Sequence, residues 1–334
     1  MKVVNCQDKA YAGLYSAFHQ QQHYTALYSL LDLEYSRAYA SASEFLDMSF
    51  LIEDGGRAVL VFVAALRDIG GVNDLSAFGR PVFFAEDVSQ ARETMEHSRR
   101  MFRTELSRIL SQHHVLKMQY VDYLADAHLS PLSVQLMDLG ATASPHFSQV
   151  VDLTLSEERI RSETRKSYKS LINWGTKNLD LSVWDSGSIS EARMEEFHNL
   201  HVQVAGRETR SFETWVVQYR QVMACEAYVI AGYLFGRLVT AALFLHNAVT
   251  CYYGVSASDR NLFDKPMAHA VIWLGLSHAK FLGCRFFEVG EQLYPKQGHP
   301  APSEKELGIG KFKRGFGGET CVRVHVILDH SDVS

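Results

Sequence analysis

Residues 227–256 read AYVIAGYLFGRLVTAALFLHNAVTCYYGVS, and this stretch decides the fold class. It is rich in β-branched and aromatic residues, and Phe235-Gly236-Arg237 interrupts it as a tight turn would. The pattern predicts three antiparallel strands at Ala227–Leu234, Leu238–His246 and Val249–Ser256. Helices around such strands would give a mixed sheet with helices on its faces.

Downstream of these strands, helices and strands are predicted to alternate. Pro266 stands near the start of a helix that runs to Lys280, and Gly283 marks its end. The elements predicted after it are a buried strand, a short helix and a last strand, at Arg285–Val289, Ser303–Gly315 and Thr320–Leu328.

Upstream of the strands, three helices are predicted. Thr154 and Glu157 have the spacing of a capping box, which predicts a helix from there to about Asn173. Ser188 and Glu191 have the same spacing before a second helix that Gly206 stops. The third helix begins at Ser211, with Trp215, Tyr219 and Val222 facing inward.

The first half of the chain also reads as mixed α/β. Its predicted elements are a buried strand, a long amphipathic helix and two shorter strands, at Arg57–Leu66, Ser89–Gln112, Val115–Tyr123 and Ser133–Asp138. The small and polar segment Gly140–His146 places a boundary near residue 150. We therefore expect two domains, 1–150 and 151–334.

The composition limits the class of protein. The 334 residues are 47% hydrophobic and 21% charged, with a net charge of −5, which excludes a disordered chain, a collagen and a coiled coil. The N-terminus has no signal-peptide pattern, and the longest apolar stretch, Ala58–Leu66, is too short to span a bilayer. The five cysteines form no CxxC pair and suggest reduced thiols. We expect a cytoplasmic protein with no metal site.

Basic residues concentrate in three segments, although the net charge of the chain is negative. These segments are 161–169, 207–210 and 311–314. Arg161, Arg165 and Lys169 share one helix face because they are four residues apart. If the three segments meet in one cleft, they predict a phosphate-bearing substrate. The alternative is that each is an ordinary solvated surface.

Five short motifs, taken in order, resemble the FemAB-like branch of the GNAT N-acyltransferase superfamily, in its polysaccharide-associated form. They cover roughly residues 130–328 and comprise Val151-Asp152-Leu153; Arg165, Lys166 and Lys169; Tyr252, Gly254 and Ser256; Trp273 with Ala279, Lys280 and Gly283; and Phe312, Lys313, Phe316, Gly317 and Gly318. The resemblance implies two tandem GNAT-like domains, the first degenerate. Each would be a mixed, mainly antiparallel sheet flanked by helices.

The resemblance also implies an activity, namely transfer of an acyl or aminoacyl group onto an amine. Family members take the group from acyl-CoA or from aminoacyl-tRNA, and the sequence leaves the donor open. The glycine-rich pyrophosphate loop of CoA-using members is missing here. Its place holds Arg260–Lys265, where Asp264 would repel a phosphate at the helix N-terminus.

Acyl transfer requires a base for the amine and donors for the tetrahedral oxyanion. Backbone N–H groups near Tyr253 and Gly254 are the predicted oxyanion donors, and Glu288 is the predicted base, with His246 as an alternative. The predicted catalytic residues are Glu288, Tyr253 and Lys313. The predicted substrate-binding residues are Arg165, Lys169, Arg207, Arg210, Trp215 and Tyr252. The predicted donor-binding residues are Gly254, Ser256, Arg260, Lys265 and Lys313.

Three functional hypotheses remain open at this point. The leading one is an N-acyltransferase acting on an amine of a cell-surface glycan precursor or a related small molecule. The second is an aminoacyl-tRNA-dependent ligase, and the third is a non-catalytic glycan- or nucleotide-binding module. The expected partners are a phosphate-bearing acceptor and, under the second hypothesis, tRNA. The chain is not expected to span a membrane, and any association with one would be peripheral. The sequence does not give the oligomeric state.

Overall fold

The computed structural model describes residues 1–22, 25–40, 45–124, 127–262, 264–297 and 301–330. Its elements in residues 1–140 are β1 (Lys2–Asn5), α1 (Tyr11–Gln22), α2 (Leu30–Tyr39), β2 (Leu46–Asp47), β3 (Phe50–Asp54), β4 (Arg57–Val63), β5 (Ala65–Ile69), β6 (Val72–Ser76), β7 (Phe83–Glu86), α3 (Arg92–Gln112), β8 (Val115–Asp122) and α4 (Pro131–Asp138).

The remaining elements lie between residues 142 and 329. They are β9 (Thr142–Asp152), α5 (Glu157–Glu163), α6 (Lys166–Asn178), β10 (Asp180–Trp184), α7 (Glu191–Ala205), α8 (Phe212–Met223), β11 (Ala227–Leu234), β12 (Arg237–His246), β13 (Thr250–Ser258), α9 (Met267–Phe281), β14 (Phe286–Gln292), α10 (Glu304–Arg314) and β15 (Glu319–Asp329).

The chain divides into two compact units whose limits differ from a single cut near residue 150. The first unit comprises Met1–Tyr24, Tyr28–His146 and Val322–Ser334, and the second comprises Thr25–Leu27 and Phe147–Cys321. The C-terminal residues group with the first unit because β15 pairs antiparallel with β8.

Each unit contains mainly antiparallel sheet. In the first, β1-β3-β4-β7 form one sheet, and β15-β8-β6-β5-β2 are neighbours in another; among the described residues β6 pairs parallel with β8 and the other pairs are antiparallel. In the second, the order is β10-β11-β12-β13-β14-β9; its described residues pair parallel between β13 and β14 and antiparallel elsewhere. The predicted mixed, mainly antiparallel architecture is confirmed.

The sheet of the second unit is buried on both faces, which explains its nearly continuous apolar strands. Successive side chains of a strand point to opposite faces. Tyr228 and Ile230 accordingly pack in a cluster with residues of α6 and α9. Val229 and Ala231 pack in another with residues of α7 and α8. The helix pairs α6–α9 and α7–α8 therefore cover opposite faces.

Several predicted elements differ in the structure. The strand predicted at Ser133–Asp138 is wrong, because Ser130 caps helix α4 there and Pro131 occupies its first turn. The predicted strand Arg57–Leu66 is two strands, β4 and β5. The helix predicted from Thr154 to Asn173 is two helices, α5 and α6, because the Arg165 N–H bonds Gly315 O at 2.9 Å instead of continuing the first helix.

The two predicted capping boxes are also wrong. The N-cap of α5 is Ser156, whose hydroxyl accepts from the Arg159 N–H, while Thr154 bonds Asp152. The N-cap of α7 is Ser190, while Ser188 bonds Asp185. Each helix therefore starts later than the spacing predicted. Gly206 ends α7 in the left-handed region, as predicted.

Replacing Ser156 by alanine is expected to lower the free energy of unfolding by about 1 kcal/mol, because the Arg159 N–H loses its acceptor. Urea unfolding followed by tryptophan fluorescence measures this change. All four tryptophans (Trp174, Trp184, Trp215 and Trp273) lie in the second unit. Ser162→Ala, at an exposed position inside the same helix, is the control. An equal loss in both variants would contradict the assignment of the cap.

Across the described residues, no helix is long and apolar enough to cross a membrane.

Candidate active site

A gap opens in the sheet of the second unit where β13 and β14 part. Their parallel pairing covers Thr250–Tyr252 against Phe286–Glu288, and in the described part of both strands it goes no further. Beyond it, the register of β12 with β13 shifts between Ala242 and Phe244, and that of β14 with β9 shifts between Glu288 and Gly290. The backbone of Gly254 lies beside this gap.

Lys313 lies at the gap, over the backbone of β14. A Cβ built on Gly290, whose φ is +113°, would stand 2.7 Å from Lys313 Nζ. A side chain at position 290 would be strained by this positive φ and would also require Lys313 to shift. Burial lowers the pKa of Lys313 below its usual 10.5, while the nearby carboxylates of Glu291 and Glu288 act in the opposite direction. The site therefore contains a cation whose charge is favoured by two nearby carboxylates.

Glu288 is held in place from the neighbouring strand. The hydroxyl of Ser148, which is fully buried on β9, donates to Glu288 Oε1 at 2.6 Å. This buried donor holds the Glu288 carboxylate in one orientation, at the last residue of β14 that pairs with β13. Ser148 and Gly290 were not predicted as site residues. Gly290 interrupts the apolar strand Phe286–Gln292, and a glycine within a strand is a usual signal of close backbone approach.

A glycine-rich segment follows α10, the helix that carries Lys313, and packs against α6 and β9. Cβ atoms added at Gly315 or Gly318 would lie 2.1 Å from the Tyr168 ring and 2.2 Å from Val150 O. Gln149 Nε2 donates to Gly317 O at 2.7 Å. The segment thus passes in direct contact with α6 and β9, and these glycines have a packing function beyond a simple turn.

Tyr253 lies on the same sheet face as α9 and the Phe312 ring of α10. Its ring packs 5.6 Å from Phe244, and its hydroxyl donates to Ser256 Oγ at 2.7 Å. Burial raises the pKa of this tyrosine. A neutral hydroxyl that donates a hydrogen bond suits an orienting or proton-donating role better than that of a base.

The predicted donor-binding residues Arg260 and Lys265 lie before α9. Arg260 is exposed in a 3₁₀ turn. Lys265 Nζ forms an ion pair with Asp264 at 2.8 Å, which lowers the pKa of Asp264. The expected repulsion of a phosphate by Asp264 is therefore partly neutralised. Pro266 precedes the helix, whose N-terminus has no side-chain cap.

The predicted substrate-binding residues do not come together. Arg165 stacks over Tyr168 at 4.9 Å and donates to Lys311 O at 3.0 Å, so the segments 161–169 and 311–314 are neighbours. Lys169 lies on α6 and donates to Ser162 O. The predicted single helix face of Arg161, Arg165 and Lys169 is wrong, because Arg161 lies on α5 and Arg165 precedes α6. The segment 207–210 instead joins α7 to α8, which cover the opposite face. The three basic segments therefore do not meet in one cleft, which was the condition for predicting a phosphate-bearing substrate from all three.

The other four predicted substrate-binding residues lie on the side of the sheet that α7 and α8 cover. Trp215 is 1% exposed, so it is a core residue rather than a substrate contact. Arg210 stacks on its ring at 4.0 Å and bonds Gln218, which makes this arginine a packing element. Tyr252 packs with the same cluster, on the face opposite Tyr253, because the two alternate along β13. Arg207 is exposed.

His246, the alternative base, and three further histidines of the second unit are packed groups. His246 lies 5.7 Å from the Tyr228 ring, and burial lowers its pKa. His269 packs between Tyr168 and Phe312. His198 and His201 both contact the Trp215 ring. The described residues contain no group of three side chains able to hold a metal ion.

Comparison with known proteins identifies the fold. No protein-family model matches the chain, and no curated protein matches it. Among solved structures, FemX aligns with a TM-score of 0.66 at 10% identity, over 100% of this chain and 98% of FemX.

Two further structures align over most of their length. A tandem GNAT protein from the clavulanic acid biosynthesis pathway gives a TM-score of 0.52 at 14% identity, covering 98% of this chain and 97% of that one. L-PGS from Bacillus licheniformis gives 0.55 at 12% identity, covering 86% and 85%. The tandem GNAT-like fold implied by the motif order is confirmed.

Proposed function

We propose that this chain of tandem GNAT-like fold is an N-acyltransferase whose reaction takes place in the gap between β13 and β14. The observation that carries the proposal is the Lys313 ammonium, set over Gly290 and beside Glu288 where the two strands part. Amide formation from an activated acyl donor requires a base for the amine and donors for the oxyanion. The Glu288 carboxylate can serve as the base, and the Lys313 ammonium with backbone N–H groups can serve as the donors.

In this proposal Glu288 takes the proton and Lys313 stabilises charge. The acceptor amine attacks the acyl carbonyl, a C–N bond forms, and Glu288 accepts the proton that the nitrogen loses. The Lys313 ammonium and the N–H groups near Gly254 stabilise the oxyanion. The C–S or C–O bond to the leaving group then breaks, and Glu288 returns the proton to that sulfur or oxygen. Tyr253 and Ser256 orient the reacting groups.

The donor is an acyl-CoA or an aminoacyl-tRNA, and the acceptor is an amine on a phosphate-bearing glycan precursor or related small molecule. Arg165 and Lys169 lie on the Lys313 side of the sheet and are the proposed phosphate contacts. Radiolabelled acyl-CoAs and charged tRNAs, each offered with an amino-sugar nucleotide, distinguish the donors. Binding of tRNA would fall steeply with salt, and a flat salt response excludes the tRNA version.

The pH dependence of kcat/KM tests the charge on Lys313. Because burial lowers the pKa of this ammonium below 10.5, its charged form is lost at a lower pH than for an ordinary lysine. We expect activity to fall on the alkaline side below pH 10.5. In Lys313→Arg this fall should move to higher pH, because guanidinium stays charged. A wild-type rate that keeps rising through that range would contradict a cationic role.

A non-catalytic binding module is the competing interpretation on the same fold. It predicts that Glu288→Gln leaves ligand binding intact in a protein without acyl transfer to any amine. The N-acyltransferase proposal predicts measurable transfer by the wild-type protein and its loss in this isosteric variant.

A further inference from the structure

Helix α8 of the second unit carries an apolar stripe on its solvent side. The stripe is formed by Phe212, Val216, Tyr219 and Met223. The side chains of Phe212, Val216 and Met223 are 53%, 43% and 47% exposed, and Tyr219 is partly buried. Successive members are four, three and four residues apart, which is the spacing of a coiled-coil seam. The stripe therefore has the pattern of a helix that packs against a second helix.

The opposite side of α8 attaches the helix to the sheet. Trp215 and Val222 are almost fully buried and belong to the apolar cluster on that face of the sheet. The folded chain nevertheless leaves Phe212, Val216 and Met223 largely in water. Covering them with a partner would be favourable, because apolar surface would leave water.

The stripe is complementary to itself. A two-fold axis that passes beside α8 between residues 217 and 218 places Phe212 opposite Met223 of a second copy. The same axis places Val216 opposite Tyr219, because both pairs are centred on the same point of the helix. A methionine sulfur beside an aromatic ring is a favourable contact. One axis thus matches all four side chains, as an interface between identical surfaces requires.

Two charged residues give the pairing a direction. Glu213 and Arg220 are exposed and lie along one edge of the stripe, about two helical turns apart. In an antiparallel pair of helices the same edges meet, so Glu213 stands opposite Arg220 of the second copy, and this contact occurs twice. In a parallel pair these edges lie on opposite sides of the seam, so Glu213 does not meet Arg220. Charge complementarity therefore favours the antiparallel arrangement.

We propose that α8 is a homodimer interface, in which the helices of two copies pack antiparallel along this stripe. One helix pair is a small contact compared with the interfaces of permanent dimers. We therefore expect a dimer that dissociates on dilution, with a Kd on the order of 10 μM. The stripe lies on the helix pair that covers the face opposite Tyr253, so its test is separate from that of the acyl-transfer proposal.

Sedimentation equilibrium of the full chain over about 1–200 μM tests the interface. We expect the fraction of dimer to rise across this range. Val216→Glu should weaken dimerisation by at least about 100-fold, because two carboxylates would be buried beside the axis. Val134→Glu is the matched control. Val134 lies on α4, outside the stripe, and is 45% exposed against 43% for Val216, so this variant should dimerise like the wild-type protein.

Charge reversal tests the antiparallel direction. Glu213→Arg and Arg220→Glu should each weaken dimerisation by about tenfold, because each brings like charges together twice. The double variant Glu213→Arg/Arg220→Glu restores opposite charges at both contacts. Its Kd should return to within about twofold of the wild-type value.

Three results would overturn the proposal. They are a wild-type chain that stays monomeric throughout the concentration range, an equal loss of dimer in Val216→Glu and Val134→Glu, and a double charge variant that dimerises as weakly as the single variants. A membrane surface is the other occupant to test. A monomeric wild-type chain that sediments with phosphatidylglycerol vesicles, and a Val216→Glu variant that does not, would assign the stripe to a membrane and contradict the dimer.

Discussion

Replacing Lys313 by methionine is expected to reduce kcat/KM for amine acylation by about 10²–10³-fold, because the oxyanion loses a preorganised charged donor. Methionine keeps an unbranched side chain of similar length, so packing beside Gly290 is preserved. The folded state should be unaffected, since burial of the charge lowers the pKa of Lys313 and is itself unfavourable.

Lys311→Met is the matched control for this variant. Lys311 stands on the same helix two residues earlier, and its side chain is exposed. We expect it to retain nearly all activity. Comparable losses in the two variants would show that the general charge of α10 matters, and not the placement of one ammonium in the gap.

Replacing Gly318 by alanine is expected to destabilise the second unit by about 3 kcal/mol, from positive-φ strain and from overlap with a neighbouring backbone. Its φ is +75°, and an added Cβ would lie 2.2 Å from Val150 O. Because the obstacle is a backbone carbonyl of β9, no rotamer change can relieve it. Urea unfolding followed by tryptophan fluorescence gives the loss directly.

Gly308→Ala provides the contrast within the same unit. Gly308 lies inside α10, and an added Cβ there meets no atom of the described structure within 4 Å. The substitution should raise stability by about 0.5–1 kcal/mol, because alanine is the better helix former. If Gly318→Ala were as stable as Gly308→Ala, the close passage of the segment after α10 would be wrong.

The strands of the second unit could be predicted from sequence because their pattern is local. The apolar runs at 227–246 and the Phe235-Gly236 turn give β11 and β12 almost to the residue. The break between α5 and α6 could not be predicted, since its cause is a carbonyl 150 residues away, at Gly315. Helix α4 has a local signal in Ser130-Pro131, since serine favours the N-cap and proline the first turn of a helix.

The site could be predicted only in part for the same reason. Glu288 and Lys313 stand in recognisable segments, and the structure brings both to the strand gap. Ser148 and Gly290 matter through contacts with them, and no local pattern reveals which strand will lie beside which. Trp215 was predicted both to face inward and to bind substrate; the structure confirms the inward position, and a ring that is 1% exposed is not a substrate contact.

The most direct test of the account is the rate of amide formation when wild-type protein and Glu288→Gln are each incubated with radiolabelled acyl-CoAs and charged tRNAs plus an amino-sugar nucleotide. If Glu288 is the base of an acyl-transfer site at the β13–β14 gap, the wild-type protein forms labelled amide from at least one donor. The Glu288→Gln variant then forms no labelled amide. Folded wild-type protein that forms no amide, or a variant that forms it at the wild-type rate, would contradict an acyl-transfer site at the β13–β14 gap.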